Sequence, residues 1–315
     1  MKKSRALTVR KTATVQAPPT VQELIAQFIN SQDVRMSSKG LYSRTLKQYF
    51  NWLQRSGVNL AEVSRVEILR YKQELLDSGL SPLTVGSYLT VVRKFYEWAE
   101  GSKYYPNVAK GVKTPHRKQQ FRKQPLTRTQ SRALLDYYHN KAKRDYAIVD
   151  LLLRTGLRTI EVIRANVEDI TYKAGKRVLM VHGKGRDEKD NFVILTDKAN
   201  QPIQDYLSTR PRTKSGEPLF ISSSNNSKGK RITTRTVSYI AKEGLKAIGL
   251  DSKEFTAHSL RHTTAVNILR QGGTLMDAQG VLRHSSPNTT QIYTQTIKEE
   301  LRIKNAPEEL LDAVY

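Results

Sequence analysis

Six side chains, spread over four segments, are of types that can act together on one anion. Arg158 stands in TGLRTIEVIRANVEDI, just after a glycine suited to ending a helix, with Glu161 one turn further on. His258 and Arg261 stand in AHSLRHTTA at i, i+3, so one helical face carries a guanidinium beside an imidazole. Lys184 lies between two glycines in VHGKGRDEKDNFVIL, as expected of a mobile hairpin tip. His284 and Tyr293 share VLRHSSPNTTQIYTQ. A guanidinium binds oxyanions through a planar fork, an imidazole moves protons near neutral pH, and a phenol is a latent nucleophile. Each group alone also has an ordinary reading. Arg158 and Glu161 can form a surface ion pair, a turn lysine can be mere decoration, and His-x-x-Arg occurs by chance. Tyr293 can be a core residue of an amphipathic helix.

These groups need elements to hold them, and the hydrophobic periodicity supplies two sets. Thr20 with Glu23 makes a capping box ahead of Val21, Leu24, Ile25, Phe28 and Ile29, one helical face. A second helix is expected on Leu46, Tyr49, Phe50 and Leu53, ending near Gly57. A third starts at Ser64 and stops at Gly79; a fourth has Ser81 as N-cap and Pro82 at its first position, and closes at Gly101. Together they form a four-helix unit over residues 20–102. A second domain is expected over 126–296, with helices at 127–141, 144–154 and 159–165, then a hairpin of Val178–Val181 and Phe192–Leu195 turning at Gly183-Lys184-Gly185. A helix follows from Thr196, Pro218–Ile221 reads as a short strand or extended segment, and helices are expected at 233–248, 258–271, 274–281 and 287–293. The fold class is therefore mainly α with a small β-hairpin or sheet.

The segments outside these domains are basic. Residues 1–19 carry Lys2, Lys3, Arg5, Arg10 and Lys11 with no acid, as a flexible arm would. The linker 103–125 adds Lys110, Lys113, Arg117, Lys118 and Arg122, again without an acid, and is expected to run along a DNA backbone. Over 315 residues, 53 Lys+Arg against 29 Asp+Glu leave a net charge of +24, which points to a polyanionic partner. With no cysteine there is no disulfide framework, thiolate metal site or cysteine nucleophile. No apolar stretch is long enough to span a bilayer and no secretory signal opens the chain, so a cytoplasmic protein with no membrane partner is expected. The tail 297–315 ends in PEELLDAVY, with Leu310, Leu311, Val314 and Tyr315 as a small apolar stripe.

Taken in order over about 135 residues, Arg, hairpin Lys, His-x-x-Arg, His and Tyr resemble the tyrosine recombinase (phage integrase) family, most of all its simple two-domain Xer-like bacterial members. TGLRTIE, GKG, HSLRHTTA and LRHSSPNTTQIYT carry the resemblance, which extends over residues 20–300. It implies a helical SAM-like core-binding domain before a mixed α+β catalytic domain. It also implies Tyr293 as nucleophile, Arg158 and Arg261 on the non-bridging oxygens of a phosphodiester, His258 as base, Lys184 as acid on the departing 5′ oxygen, and His284 as hydrogen-bond donor. Glu161 would orient the cations. The implied product is a 3′-phosphotyrosine, formed with no cofactor or metal, in a homo-tetramer that passes through a Holliday junction on double-stranded DNA with inverted-repeat core sites. Accessory directionality proteins and docking of the tail on a neighbouring protomer belong to the same picture. A type IB topoisomerase or a non-catalytic DNA-binding protein are the alternatives. Arg283 departs from the family pattern, where glycine usually precedes the histidine. Its charge either adds a phosphate contact or changes how the last helix is held.

Overall fold

The computed structural model describes residues 19–116, 123–182, 189–210 and 212–284, and beyond these residues 286, 290, 293, 297, 298, 300, 302, 303, 306, 308–312 and 314. The chain divides into two compact units, residues 1–119 and 120–315. The basic arm up to residue 18 lies outside the described residues, as do Arg117, Lys118, Arg122 and Lys184.

The first unit has four helices: α1 (Val21–Ser31), α2 (Met36–Arg55), α3 (Arg65–Asp77) and α4 (Pro82–Gly101). The caps are those expected. The Glu23 carboxylate accepts the Thr20 N–H at 2.7 Å, and that of Glu67 accepts the Ser64 N–H at 2.8 Å. α2 starts well before its apolar stripe. Its first turns carry exposed or half-buried Met36, Ser37, Ser38 and Lys39, and Arg35 at the N-cap makes no side-chain cap, so neither periodicity nor a cap marks the start. The core is rich in aromatic rings, with Phe28, Tyr49, Phe95 and Tyr96 buried and the Tyr49 and Tyr96 hydroxyls bonded at 2.8 Å. Ala109 and Val112 are buried in this same core, and Arg65 donates to the carbonyls of Lys110 at 2.6 Å and Gly111 at 3.3 Å. The expected linker thus gives its first residues to the helical unit, because Tyr105, Val108, Ala109 and Val112 are apolar side chains within its basic composition.

The second unit begins with α5 (Arg128–His139), α6 (Lys143–Thr155) and α7 (Thr159–Arg164). A three-stranded antiparallel sheet follows in the order β1 (Ile170–Lys173), β2 (Lys176–Val181), β3 (Asn191–Ile194). Val178 pairs with Ile194 and Val181 with Asn191, so the expected hairpin forms. β1 is additional. Its turn is Ala174-Gly175, both at positive φ, the backbone a two-residue hairpin turn requires. Pro218–Ile221 bends at Leu219 and Phe220 and makes only isolated bridges, Asn166 with Pro218 and Ile221 with Arg231, without becoming a strand. α8 (Asp197–Leu207), α9 (Thr234–Ala247), α10 (Ala257–Arg270) and α11 (Leu275–Leu282) complete the regular elements that position the site. No described helix is long and apolar enough to cross a membrane.

α10 is the centre of this unit. Residues 259–266 are all buried, polar ones included, and the helix packs on α6, α9 and α11. Its buried threonines bond to backbone: the Thr264 hydroxyl donates to the Leu153 carbonyl at 2.8 Å, and Thr263 accepts the Leu126 N–H at 2.8 Å. α5 and α9 meet closely at Gly244, where a Cβ would stand 2.4 Å from Tyr138 and 2.6 Å from Leu134. The Tyr138 ring cannot swing away, since its hydroxyl donates to the Ile240 carbonyl at 2.5 Å. Overpacking costs about 1–3 kcal/mol, more than the roughly 1 kcal/mol alanine gains over glycine in a helix. Gly244→Ala is therefore expected to lower stability by about 1 kcal/mol or more in urea titration, and an unchanged midpoint would mean that α5 and α9 are not so tightly packed.

Candidate active site

The site is built where three helix ends meet. α6 ends in a left-handed turn at Gly156, with φ +60, and a Cβ there would stand 2.5 Å from Leu282. Both the backbone and the close approach require glycine. Arg158 then sits at the N-cap of α7, half-buried, and its backbone N–H donates to Glu161 Oε2 at 2.7 Å while its Nη1 donates to Oε1 at 2.9 Å. The far end of α7 is held by Arg231, which donates to the carbonyls of Ile163 at 2.8 Å and Ala165 at 3.1 Å.

Arg261 projects from the middle of α10 and is 3% exposed. Its Nη1 donates to the Gly156 carbonyl and its Nη2 to the Leu282 carbonyl, the latter at 2.6 Å. The guanidinium thus ties the end of α6 to the end of α11. Burial and Arg158 both press against its charge, yet a guanidinium stays protonated under these conditions. His258 lies one turn earlier, at the exposed start of α10. The protein packed around it, then Arg261, Arg158 and Lys123, hold its pKa below 6.5, so the imidazole is neutral at pH 7.

α11 ends at Arg283, which adopts the left-handed conformation with φ +55. His284 follows, with Nδ1 2.9 Å from the Thr290 hydroxyl. Burial, with Arg261 and Arg158, pushes His284 down to about 4. Thr290, Tyr293 and Ile297 are helical, and all three are buried. The Tyr293 ring lies between two imidazoles: His262, with centroids 4.7 Å apart, and His284, nearly parallel at 6.1 Å. Burial raises the Tyr293 pKa above 10, and the charges of Arg261 and Arg158 work against this. The phenol is therefore neutral at pH 7 and sits in a cationic field.

Glu161, 2% exposed, is the site's buried anion. Burial alone would raise its pKa, but Arg283, the Arg158 N–H and the Arg158 guanidinium together hold it below the usual carboxylate value. It is ionised, and it carries less charge than the cations around it.

Of the residues singled out in the sequence, Arg158, Glu161, Arg261, His284 and Tyr293 are brought together here, with His258 in the same electrostatic field. Lys184 falls outside the described residues, on the connection between β2 and β3. Lys189, at the foot of that connection, is paired with Asp169 at 2.5 Å. Lys110 and Lys113 are exposed on the helical unit. His262 was not anticipated. It follows Arg261 directly, a spacing that places it on a different face of α10, and only the packing of the Tyr293 helix gives that face a meaning.

Comparison with known proteins agrees with this geometry. The model of the phage integrase family matches residues 124–300, and that of its N-terminal SAM-like domain matches residues 21–103. Tyrosine recombinase XerD of Staphylococcus epidermidis is 31% identical over 296 residues, covering 90% of this chain and 96% of that one. Tyrosine recombinase XerC of Caldanaerobacter subterraneus is 39% identical over 181 residues, 56% of this chain and 48% of the relative, so that match spans about half of the relative's length. The fold is shared with the crystal structure of XerH site-specific recombinase bound to palindromic difH substrate, with a TM-score of 0.72 at 20% identity, covering 92% of this chain and 85% of that one. Two domain models matched in order, and a relative aligned along nine-tenths of the chain, place it in a family: it belongs to the phage integrase family, the tyrosine recombinases.

Proposed function

We propose that the chain is a site-specific recombinase that cuts and rejoins DNA strands by transesterification, with Tyr293 as nucleophile. One observation carries the reading: Arg261, anchored on two helix-end carbonyls, and Arg158 both act electrostatically on the buried Tyr293 phenol, whose ring packs on His262 and His284. In this reading the two guanidiniums hold the non-bridging oxygens of the scissile phosphate and stabilise the charge added in the transition state. The Tyr293 oxygen forms a bond to phosphorus as the bond to the 5′ oxygen breaks. The phenolic proton passes to neutral His258, and Lys184 protonates the departing oxygen. In the tautomer whose Nδ1 accepts from the Thr290 hydroxyl, 2.9 Å away, His284 carries its proton on Nε2 and donates it to a phosphate oxygen. The 3′-phosphotyrosine remains a diester, so a second 5′ hydroxyl can reverse the step without an energy source.

Charge supports DNA as the partner, and the XerH structure is a complex with a palindromic difH substrate. The helical unit over 20–102 would grip the core site, the basic stretch with Lys110, Lys113, Arg117, Lys118 and Arg122 would follow the backbone, and residues 126–296 would carry out the chemistry. Assembly as a tetramer through a Holliday junction fits a tail whose Leu310, Leu311 and Val314 are exposed on the single chain and suited to docking on a neighbour. The setting would be the bacterial cytoplasm, with inverted-repeat core sites and accessory proteins that set direction.

The decisive experiment uses a nicked duplex, selected from a random library by its covalent capture on the unaltered chain. Tyr293→Phe should bind this duplex within about twofold of the unaltered chain, since the ring and its packing are kept, and should form no adduct. An adduct in this variant, or one mapped to Tyr315, would overturn the assignment.

Lys184→Ala should slow cleavage of the normal duplex by about a hundredfold or more, and that of a 5′-thio duplex far less, because sulfur leaves without protonation. Equal defects on both would remove Lys184 from the role of acid.

Neutral imidazoles in the site also make the fold sensitive to acid. His262 and His284 are both held at about 4, first by burial, against 6.5 when unfolded. Their folded pKa values are depressed, so the stability they contribute is whole above about pH 6.5 and is lost as pH falls towards about 4. The melting temperature should drop through that window, and less so in His262→Phe; the same acid slope in both proteins would place the titrating groups elsewhere.

A further inference from the structure

We propose that Arg283 is a positioning residue which divides the Glu161 carboxylate between two cations and so keeps Arg158 available to a phosphate; this rests on the recombinase reading above. Glu161 Oε1 accepts Arg158 Nη1 at 2.9 Å. Its Oε2 accepts both the Arg158 backbone N–H at 2.7 Å and Arg283 Nη2 at 2.9 Å. The Arg283 side chain is 7% exposed and that of Glu161 is 1% exposed, so the contact is shielded from water and from salt. Arg283 Nη1 donates to the Val281 carbonyl at 2.6 Å, and its Nε is buried with no partner among the described residues.

The backbone makes this arrangement notable. Position 283 lies at φ +55, where glycine would sit without strain and an L side chain does not. A strained backbone and a buried cation are both unfavourable, so the side chain must return something, and its contact with Glu161 is what it returns. Were Glu161 to face Arg158 alone, a fork-to-fork pair would form and largely cancel the charge of the guanidinium that should hold the phosphate. With Oε2 drawn to Arg283, Arg158 has a single side-chain contact to the carboxylate. Arg158, Glu161 and Arg283 then sum to one positive charge, to which Arg261 adds another. Arg283 also directly precedes His284, whose ring lies on Tyr293. The same link therefore ties the turn leading to the nucleophile to the turn bearing Arg158. Arg283 itself is engaged with Glu161 and Val281, and so acts through them rather than on the phosphate.

The test is Arg283→Gly, chosen because glycine fits φ +55 and the variant should melt within a few degrees of the unaltered protein. Capture is timed on the selected duplex and on the same duplex with a methylphosphonate at the scissile position, which removes the charge that the site must neutralise. Capture of the normal duplex should slow about tenfold and that of the methylphosphonate less than about threefold, with Arg283→Lys in between. An unchanged rate on the normal duplex, or equal slowing on both, would overturn the role of Arg283 while leaving the recombinase reading intact. No capture by the unaltered protein on any duplex would instead overturn the recombinase reading itself.

Discussion

A single buried guanidinium holds the catalytic unit's geometry together. Arg261 leaves a helix whose residues 259–266 are all buried and donates to the carbonyls of Gly156 and Leu282, the ends of α6 and α11. Carbonyls at helix C-termini lack intrahelical donors and bear partial negative charge, so they are good partners for a cation that cannot reach water. The turn bearing Arg158 follows one of these carbonyls and the turn bearing His284 follows the other. Each is thereby fixed relative to the same side chain, whose charge also acts on the Tyr293 phenol. Removing Arg261 would take away the clasp that sets the distance between the other groups and, in the proposed reaction, a phosphate ligand with it.

Electrostatics in this site follow from too many cations around one carboxylate. Arg158, Arg261 and Arg283 surround Glu161, whose charge satisfies only part of theirs. An excess of buried positive charge is costly by itself, and a phosphate bound as proposed would relieve it, which is the arrangement expected where added negative charge must be stabilised. The same field acts on the titratable neighbours. It adds to the burial that lowers the pKa values of His258 and His284, and it opposes the burial that would otherwise leave the Tyr293 phenol still harder to ionise.

Much of the fold was legible in the chain because its signals are local. The Thr20–Glu23 and Ser64–Glu67 caps, Ser81-Pro82 at the start of α4 and Gly156 at the end of α6 act through neighbours a few residues away. Each needs no knowledge of the rest of the molecule. The exceptions are elements that local signals do not mark. α2 begins on polar residues with no side-chain cap, and β1 is a short, largely exposed strand that exists because β2 lies beside it. Composition marks residues 103–125 as one basic stretch for a similar reason, since only the packing shows Ala109 and Val112 within the core of the helical unit.

The sequence by itself determined which residue types were available for chemistry, the order in which they occur, and the helix-start and helix-end positions that several of them occupy. Arg158 after a helix-ending glycine and the His258–Arg261 pair on one face of a helix needed nothing more. Only the tertiary structure decided what each group touches. It placed His262 against Tyr293, gave Arg261 its two carbonyls, and set Arg283, an arginine in a glycine's conformation, on the far oxygen of Glu161. Those partners lie 21 to 122 residues apart. Helical spacing fixes which face a side chain leaves from, but the surface it meets is created by the packing of α6, α7, α10 and α11 against one another.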